Sequence, residues 1–290
     1  MNPSADAAAS GPQYDAPPLS AAALQRWLTD AGVDESAHVE VVPRTGSTND
    51  DLLERARLSR PTRPIVRAAD EQTAGHGRHR RPWLARDRSA LLFSVALPIE
   101  SLPAALPAVT LACGVALAER LLVRGVPVSL KWPNDLLFEG RKLGGLLAEL
   151  AVDGEGRATL VVGVGVNGWL NDADRAAIDL PVACLSEAVA PALLAAEREA
   201  WIAQLAAAIV ACVTRYMNEG FVPVRPRYNE LMAGRGRPVD IVDGGRVIAS
   251  GRALEVDTIG RLMLATAGGL RGINVGDVSL RPAATDDAAG

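Results

Sequence analysis

The sequence predicts an α+β protein: a mixed, largely antiparallel sheet with helices, followed by a small β-barrel or sandwich at the C-terminal end. Three observations predict it. Short apolar runs in the middle of the chain are separated by the hairpin-type turns "EGRK" (139–142) and "DGEG" (153–156). Long apolar patterns with helical spacing cover 102–124 and 196–220. From residue 234 the character changes to short β runs broken by "DGG", "IGR" and "GG". At 290 residues the chain has room for two units, given a prior of about 150 residues per domain. The expected division is a lead-in over 1–18, a catalytic-sized domain over 19–233, a β domain over 234–283 and a tail over 284–290.

Taken in order, "MNPSADAAASGPQYDAPP" (1–18) has neither a basic stretch nor an apolar one, and reads as a disordered lead-in without a secretion signal. "LSAAALQRWLTDAGV" (19–33) places Leu24, Trp27, Leu28 and Ala31 on one helical stripe with Gly32 as the stop. One such helix is too little for a DNA-binding helix-turn-helix. "VEVVPRTGSTNDDLLERARLS" (39–59) reads as a strand, a turn at Gly46 and a helix, with Ser47, Thr48 and Asn49 all good N-caps. "PIVRAADEQT" (64–73) is the next strand and "SALLFSVALP" (89–98) another, so the basic stretch "GHGRHRRPW" (75–83) connects two core strands. "LPAALPAVTLACGVALA" (102–118) falls just short of a membrane span, carries two prolines and is Ala-rich, which favours a buried helix. The helix of 196–220 ends at Gly220, and "ATDDAAG" (284–290) reads as a frayed tail. The sequence shows no internal repeat.

Hydrophobic residues at 49% and charged residues at 22% are ordinary for a soluble globular protein. Thirty Lys and Arg against thirty-four Asp and Glu leave a net charge of -4, so any anion binding must be local rather than a general pull toward nucleic acid. Cys113, Cys184 and Cys212 are odd in number and in no CxxC or Cys/His spacing, which argues against a disulfide framework or a zinc site and for a reducing cytoplasm. P-loop, HExxH and GxSxG patterns are absent. The only histidines are His38, His76 and His79, and two of these lie in an Arg-rich stretch, which disfavours a Ser/His/Asp or Cys/His site. A literal GxGxxG occurs at Gly163, Gly165 and Gly168, but the following "WLNDADRAAIDLP" (169–181) is a poor helix. Those glycines read better as places where backbone approaches a ligand or a neighbouring strand.

Three stretches could carry chemistry. "LKWPND" (130–135) sets Lys131 at a strand end before the Pro133-Asn134 turn, with Trp132 as a flat apolar wall or a core residue. "GRKLGGLLAEL" (140–150) places Lys142 before the Gly144-Gly145 pair. "GHGRHRRPW" reads either as a solvated face or as a mobile loop; in the second case its glycines, arginines and Trp83 would order over a polyphosphate.

Together with "TGSTND" (45–50), "EQTAGHGRHRRPW" (71–83) and "VVGVGVNG" (161–168), these stretches resemble the biotin protein ligases, in that family's order over about residues 38–282. The resemblance implies a class II synthetase-like ligase domain and a C-terminal SH3-like barrel. It implies a two-step reaction with biotin, ATP and Mg2+. Biotin's carboxylate attacks the α-phosphate to give biotinyl-5'-AMP and pyrophosphate, and a lysine of an apo biotin carrier protein then takes the acyl group. The acetyl-CoA carboxylase carrier subunit is the type of acceptor implied. By motif, Ser47, Thr48, Asn49, Gln72, Gly75, Gly77, Arg78, Lys131, Gly145, Gly163 and Gly165 would line the biotin site. Arg78, Arg81, Trp83, Lys131, Asn134, Lys142, Asn167 and Arg281 would face the nucleotide, with Lys131 and Arg78 as the catalytic pair and no protein-held metal. The family loop usually reads GRGRxGR; here His76 replaces the first arginine and Arg80 the later glycine, so activation of biotin is expected to be sensitive to His76. Some members carry an N-terminal winged helix and act as repressors; no such segment is present here, so neither DNA nor membrane binding is expected, and the implied protein is a monomer or homodimer. The competing readings are a lipoate or octanoate ligase, and a non-enzymatic biotin- or nucleic-acid-binding regulator.

Overall fold

The computed structural model describes residues 15–102, 105–178, 180–275 and 278–282. The chain begins with α1 (Ala21–Asp30), β1 (His38–Thr45), α2 (Thr48–Leu58), β2 (Ile65–Gln72), β3 (Ala90–Ile99) and α3 (Val109–Val123). Hairpins then form β4 (Ser129–Lys131), β5 (Asp135–Phe138), β6 (Arg141–Val152) and β7 (Ala158–Asn167). Four helices follow: α4 (Asp172–Ala176), α5 (Pro191–Ala196), α6 (Arg198–Glu219) and α7 (Arg225–Leu231). The last strands are β8 (Pro238–Asp243), β9 (Arg246–Val256), β10 (Leu262–Thr266), β11 (Gly269–Ile273) and β12 (Val278–Pro282).

Seven strands make one sheet in the order β1-β2-β3-β7-β6-β5-β4, and five make a second in the order β11-β10-β9-β8-β12. Only β1 and β2 run parallel, as the intervening helix α2 requires; every other pair is antiparallel. Alternation along the strands divides the large sheet into two faces. Val66, Val95 and Val162 point into the main core with Leu24 and Leu28 of α1, Leu117 of α3 and Trp201 of α6. Ile65, Ala96, Ala151 and Val161 point the other way, under Leu52, Leu53 and Ala56 of α2. Buried on both faces, β3 is a nearly unbroken apolar run, as a central strand must be.

The helix expected over 102–124 begins at Val109, after a 3-10 turn at Leu106–Ala108 set by Pro107, and α6 is preceded by the separate short helix α5. Among the described residues two helical stretches are long and apolar enough to cross a membrane, Leu106–Val123 and Arg198–Glu219; more than half of each is buried inside the molecule, the state of core helices. The stripe on the first helix is narrower than expected. Leu24 and Leu28 are buried, whereas Trp27 and Ala31 are exposed.

The end of the expected lead-in meets the start of the folded domain. Residues 1–14 and the tail 284–290 lie outside the described residues, but Ala16 and Leu19 are buried. Their backbone is held by charge: Arg198 Nη1 donates to Pro17 O and to Asp70 Oδ1, both at 2.9 Å, and Leu19 N donates to the same carboxylate.

The small sheet shares the main core through Val239, Ile241, Val256, Leu262, Leu264 and Leu280. Asn229 of α7 clamps β9, accepting from Val256 N and donating to Val256 O. Trp132, expected as a wall or a core residue, is core: it is 1% exposed and its Nε1 donates to Gly260 O, 3.2 Å away, in the β9–β10 turn. The three cysteines are free, and Cys113 of α3 lies within hydrogen-bond reach of Cys212 of α6 although 99 positions separate them in sequence (212 less 113).

Candidate active site

On the face of the sheet that carries α2, one row of residues crosses five strands. Lys131 of β4 stands opposite Asp135 of β5, Asp135 opposite Gly145 of β6, Gly145 opposite Gly165 of β7, and Gly165 opposite Leu92 of β3. One pleat further along, Leu147, Gly163 and Ser94 form a second row. Directly opposed residues share a face. The glycines therefore clear a floor in the middle of the sheet, with charge at one end of it. A Cβ on Gly163 would meet Asn49 Oδ1 at 2.7 Å, and one on Gly165 would meet the Trp83 ring at 2.8 Å. The glycine spacing on β7 thus serves close approach, and no helix follows that would make it a dinucleotide motif: only the five-residue α4 comes next.

The N-terminus of α2 overhangs this floor. Ser47 caps the helix, its Oγ accepting from Asp50 N, which uses one lone pair and leaves the O–H to donate toward the floor or elsewhere. Gln72 Oε1, at the end of β2, accepts from Thr48 N at 2.7 Å and from Thr48 Oγ1 at 2.9 Å, while Thr48 Oγ1 also lies 2.8 Å from Ser94 Oγ. Asn49 Nδ2 donates to Glu149 Oε2 at 2.6 Å, which turns Asn49 Oδ1 toward Gly163. That oxygen is buried with no hydrogen-bond partner, and so is Trp83 Nε1 above Gly165. An acceptor and a donor left without protein partners on one floor cost about 1–3 kcal/mol each if nothing else pairs with them, and a ligand with both a donor and an acceptor would satisfy them.

The basic stretch forms a closed hairpin. Trp83 N donates to Gly75 O, Gly77 N donates to Arg81 O, and His76 bridges to Pro82. At its tip, Arg78–Arg81 is a tight turn in which His79 and Arg80 both take left-handed conformations, at φ 57° and 54°. Arg78 is half-buried at the start of that turn, and Gly75 is buried against Gln72.

Four cations gather at the charged end of the floor. Burial pushes the Lys131 ammonium below the ordinary lysine range; Asp135 opposes the shift, while Lys142, Arg281 and Arg81 add to it. Lys142 Nζ is paired with Asp135 Oδ1 at 2.8 Å and lies 5.6 Å from the centre of the Trp83 ring. Lys131 has no carboxylate within ion-pairing distance among the described residues. The cluster draws on three regions: the hairpin gives Arg81, the strands give Lys131 and Lys142, and Arg281 comes from β12 of the small sheet.

Eleven of the expected residues fall into two groups. Thr48, Asn49, Gln72, Gly145, Gly163, Gly165 and Trp83 meet at the floor, and Lys131, Lys142, Arg81 and Arg281 meet at its charged end. Asn134 and Asn167 act as struts. Asn134 Nδ2 holds Leu146 O, and Asn167 Nδ2 holds Lys142 O and Ala183 O, tying down the strand that carries Lys142. Sequence reasoning passed over Asp135, Glu149 and Ser94. Each lies in or beside a motif already singled out, but its role depends on the register of a neighbouring strand or the orientation of another side chain.

A glycine-floored sheet with a basic hairpin and a cluster of four cations is the arrangement of a ligase-type site, able to hold a polar group beside anionic ones. The family models agree. Residues 41–167 match the biotin/lipoate A/B protein ligase family and residues 235–281 match the biotin protein ligase C-terminal domain. The chain is 34% identical over 272 residues to a biotin–[acetyl-CoA-carboxylase] ligase of Mycobacterium tuberculosis, covering 90% of this chain and 96% of that protein. It is 30% identical over 250 residues to the bifunctional ligase/repressor BirA of Escherichia coli, covering 86% and 76%. In fold it is similar to the biotin protein ligase of Aquifex aeolicus solved with biotin and ATP, at a TM-score of 0.68 and 24% identity over 84% of this chain and 99% of that one. The chain belongs to the biotin protein ligase family.

Proposed function

We propose that this chain activates biotin with ATP to biotinyl-5'-AMP and transfers the biotinyl group to a lysine of an apo biotin carrier protein. The observation that carries the reading is the pairing of two unlike regions on one sheet face: a glycine floor with an orphan acceptor and donor, and a cluster of four cations beside it. Biotin's ureido ring offers a carbonyl and N–H groups to the first, while its carboxylate and the ATP phosphates suit the second. Little covalent help is needed. The chain's work is to hold two anions together and to offset charge as it builds at phosphorus.

In this reading Thr48, Asn49 and Gln72 set the biotin pocket, over a floor of Gly163 and Gly165. Arg78 and Arg81 on the hairpin cover the phosphates. Lys131 serves the carboxylate and α-phosphate, and Lys142 and Arg281 complete the wall toward the nucleotide. Mg2+ would arrive with ATP: no group of three His, Cys, Asp or Glu forms a protein-only metal site among the described residues, and Mg2+ favours substrate phosphates with few protein ligands. The C-terminal match favours biotin over lipoate as substrate. Three free thiols suit a cytoplasmic setting.

Biotin-dependent ATP–pyrophosphate exchange, followed by transfer to an apo carrier domain, tests the reading, with octanoate and lipoate as competing acids. Exchange with biotin alone is expected, and Lys131→Ala should abolish it while the protein stays folded; exchange driven by octanoate instead, or full activity in Lys131→Ala, overturns the reading. The ammonium form is the one that attracts phosphate. ATP affinity should therefore fall as pH rises through the lowered pKa of Lys131, and binding in that range should take up protons, measurable by calorimetry in buffers of different ionisation enthalpy.

A further inference from the structure

The two departures from the usual loop pattern, His76 and Arg80, meet at one carboxylate. His76 Nε2 lies 3.7 Å from Asp50 Oδ1, and Arg80 Nη1 lies 3.3 Å from Asp50 Oδ2. The other ring nitrogen of His76 is 3.2 Å from Ala74 O, which fixes the plane of the imidazole. Asp50 sits in the first turn of α2, next to Asn49 and Thr48, where the helix end itself favours a negative charge. We propose that Asp50 is a positioning residue that latches the basic hairpin onto the biotin-side helix before any ligand is bound.

The backbone supports this. Arg80 holds the left-handed conformation that favours glycine, and it stands where the family pattern has glycine. This chain keeps the turn with a residue that strains it, and the side chain so introduced reaches Asp50. The two arms are unequal. The Arg80 side chain is 75% exposed, so its ion pair is weak alone, whereas the His76 ring is 8% exposed and packs 3.7 Å from the carboxylate, as a close neighbour rather than a hydrogen-bond partner. The hairpin is also tied at its roots, by Gln72 to Thr48 on one side and by Trp83 on Gly165 on the other. With tip and roots both held, Arg78 and Arg81 are placed in advance, and ligand binding has less ordering to do.

The inference rests on the proposed function for its consequence, but the latch can be tested without it. Limited trypsin digestion of the ligand-free full chain, followed by mass spectrometry, reads opening of the hairpin from cleavage after Arg78. Asp50→Asn should speed that cleavage about three- to tenfold, with Asp50→Glu restoring most of the protection. Asp51→Asn is the control: it removes a second charge from the same helix end, but Asp51 binds Thr45 and Arg67 rather than the hairpin, so cleavage should not change. Asp50→Asn combined with Arg80→Gly should be less severe than the product of the two, because they break the same contact. In the exchange assay Asp50→Asn should raise the KM for biotin and ATP several-fold with kcat within about twofold, the mark of lost preorganisation. Equal cleavage in the wild type and Asp50→Asn, or an equal effect of Asp51→Asn, overturns the latch whether or not the wild type exchanges pyrophosphate. Absence of exchange in a wild type whose hairpin is protected overturns the functional reading alone.

Discussion

Gly163 shows how narrow the tolerance is for a single residue at this site. Its missing Cβ leaves room for Asn49, and Asn49 cannot swing away without leaving Glu149. Gly163→Ala should therefore raise the KM for biotin by about tenfold or more, because small misplacements of a positioning group are costly. Its stability loss should stay near the 1–3 kcal/mol typical of overpacking, so steady-state kinetics beside a thermal melt separates the two effects. Legibility at this scale follows the same division. Gly163, Gly165, Lys131 and Gln72 stand out because they lie in dense local motifs. Asp135 and Ser94 act across strands, and only the pairing of β4 with β5 and of β3 with β7 reveals their neighbours, while Glu149 meets Asn49 of α2 from 100 positions away in the chain. Ser47 carried a true local signal, its capping propensity, and the cap is where its hydroxyl goes.

Among the elements, α2 does more than cover the far face of the sheet. Its cap fixes where Thr48, Asn49 and Asp50 point, so one hydrogen bond controls three contacts. Ser47→Ala should cost about 1 kcal/mol of stability and should also weaken biotin binding, read by denaturant titration and by isothermal titration of the same variant. The order of strands and helices in this region was readable, since turn signals and alternation are local. The helix boundaries at 109 and 191 were not, because Pro107 and Pro191 start helices here that apolar composition alone would extend or merge. The exposure of Trp27 was equally hidden: a helical stripe says which residues align, while the packing of α1 against α6 decides how many are covered.

For the whole molecule, the buried pair of Asp70 and Arg198 joins β2, α6 and the segment at Pro17–Leu19. Removing one partner strands a charge inside the protein, so Asp70→Ala should cost about 3–5 kcal/mol, whereas Asp70→Leu with Arg198→Met should cost much less. Urea denaturation of the three proteins checks the order; a double variant as unstable as Asp70→Ala would contradict it. No pattern near Asp70 announces this partner, because 128 positions separate the two residues in the chain. The change of composition at 234 does mark where the second sheet begins, but it hides how closely the two sheets are joined.

That join gives the indole of Trp132 a wider meaning. Its hydrogen bond to Gly260 backs the turn that presents Lys131, and Arg281 reaches the same cluster from the other sheet. A chain shortened at 234 would not be a smaller version of this protein. It would lose one cation, bare the apolar patch that Val256, Leu262 and Leu264 now cover, and leave Lys131 on an unbraced corner. The modular look of the sequence is therefore a poor guide for anyone choosing where to cut or fuse it.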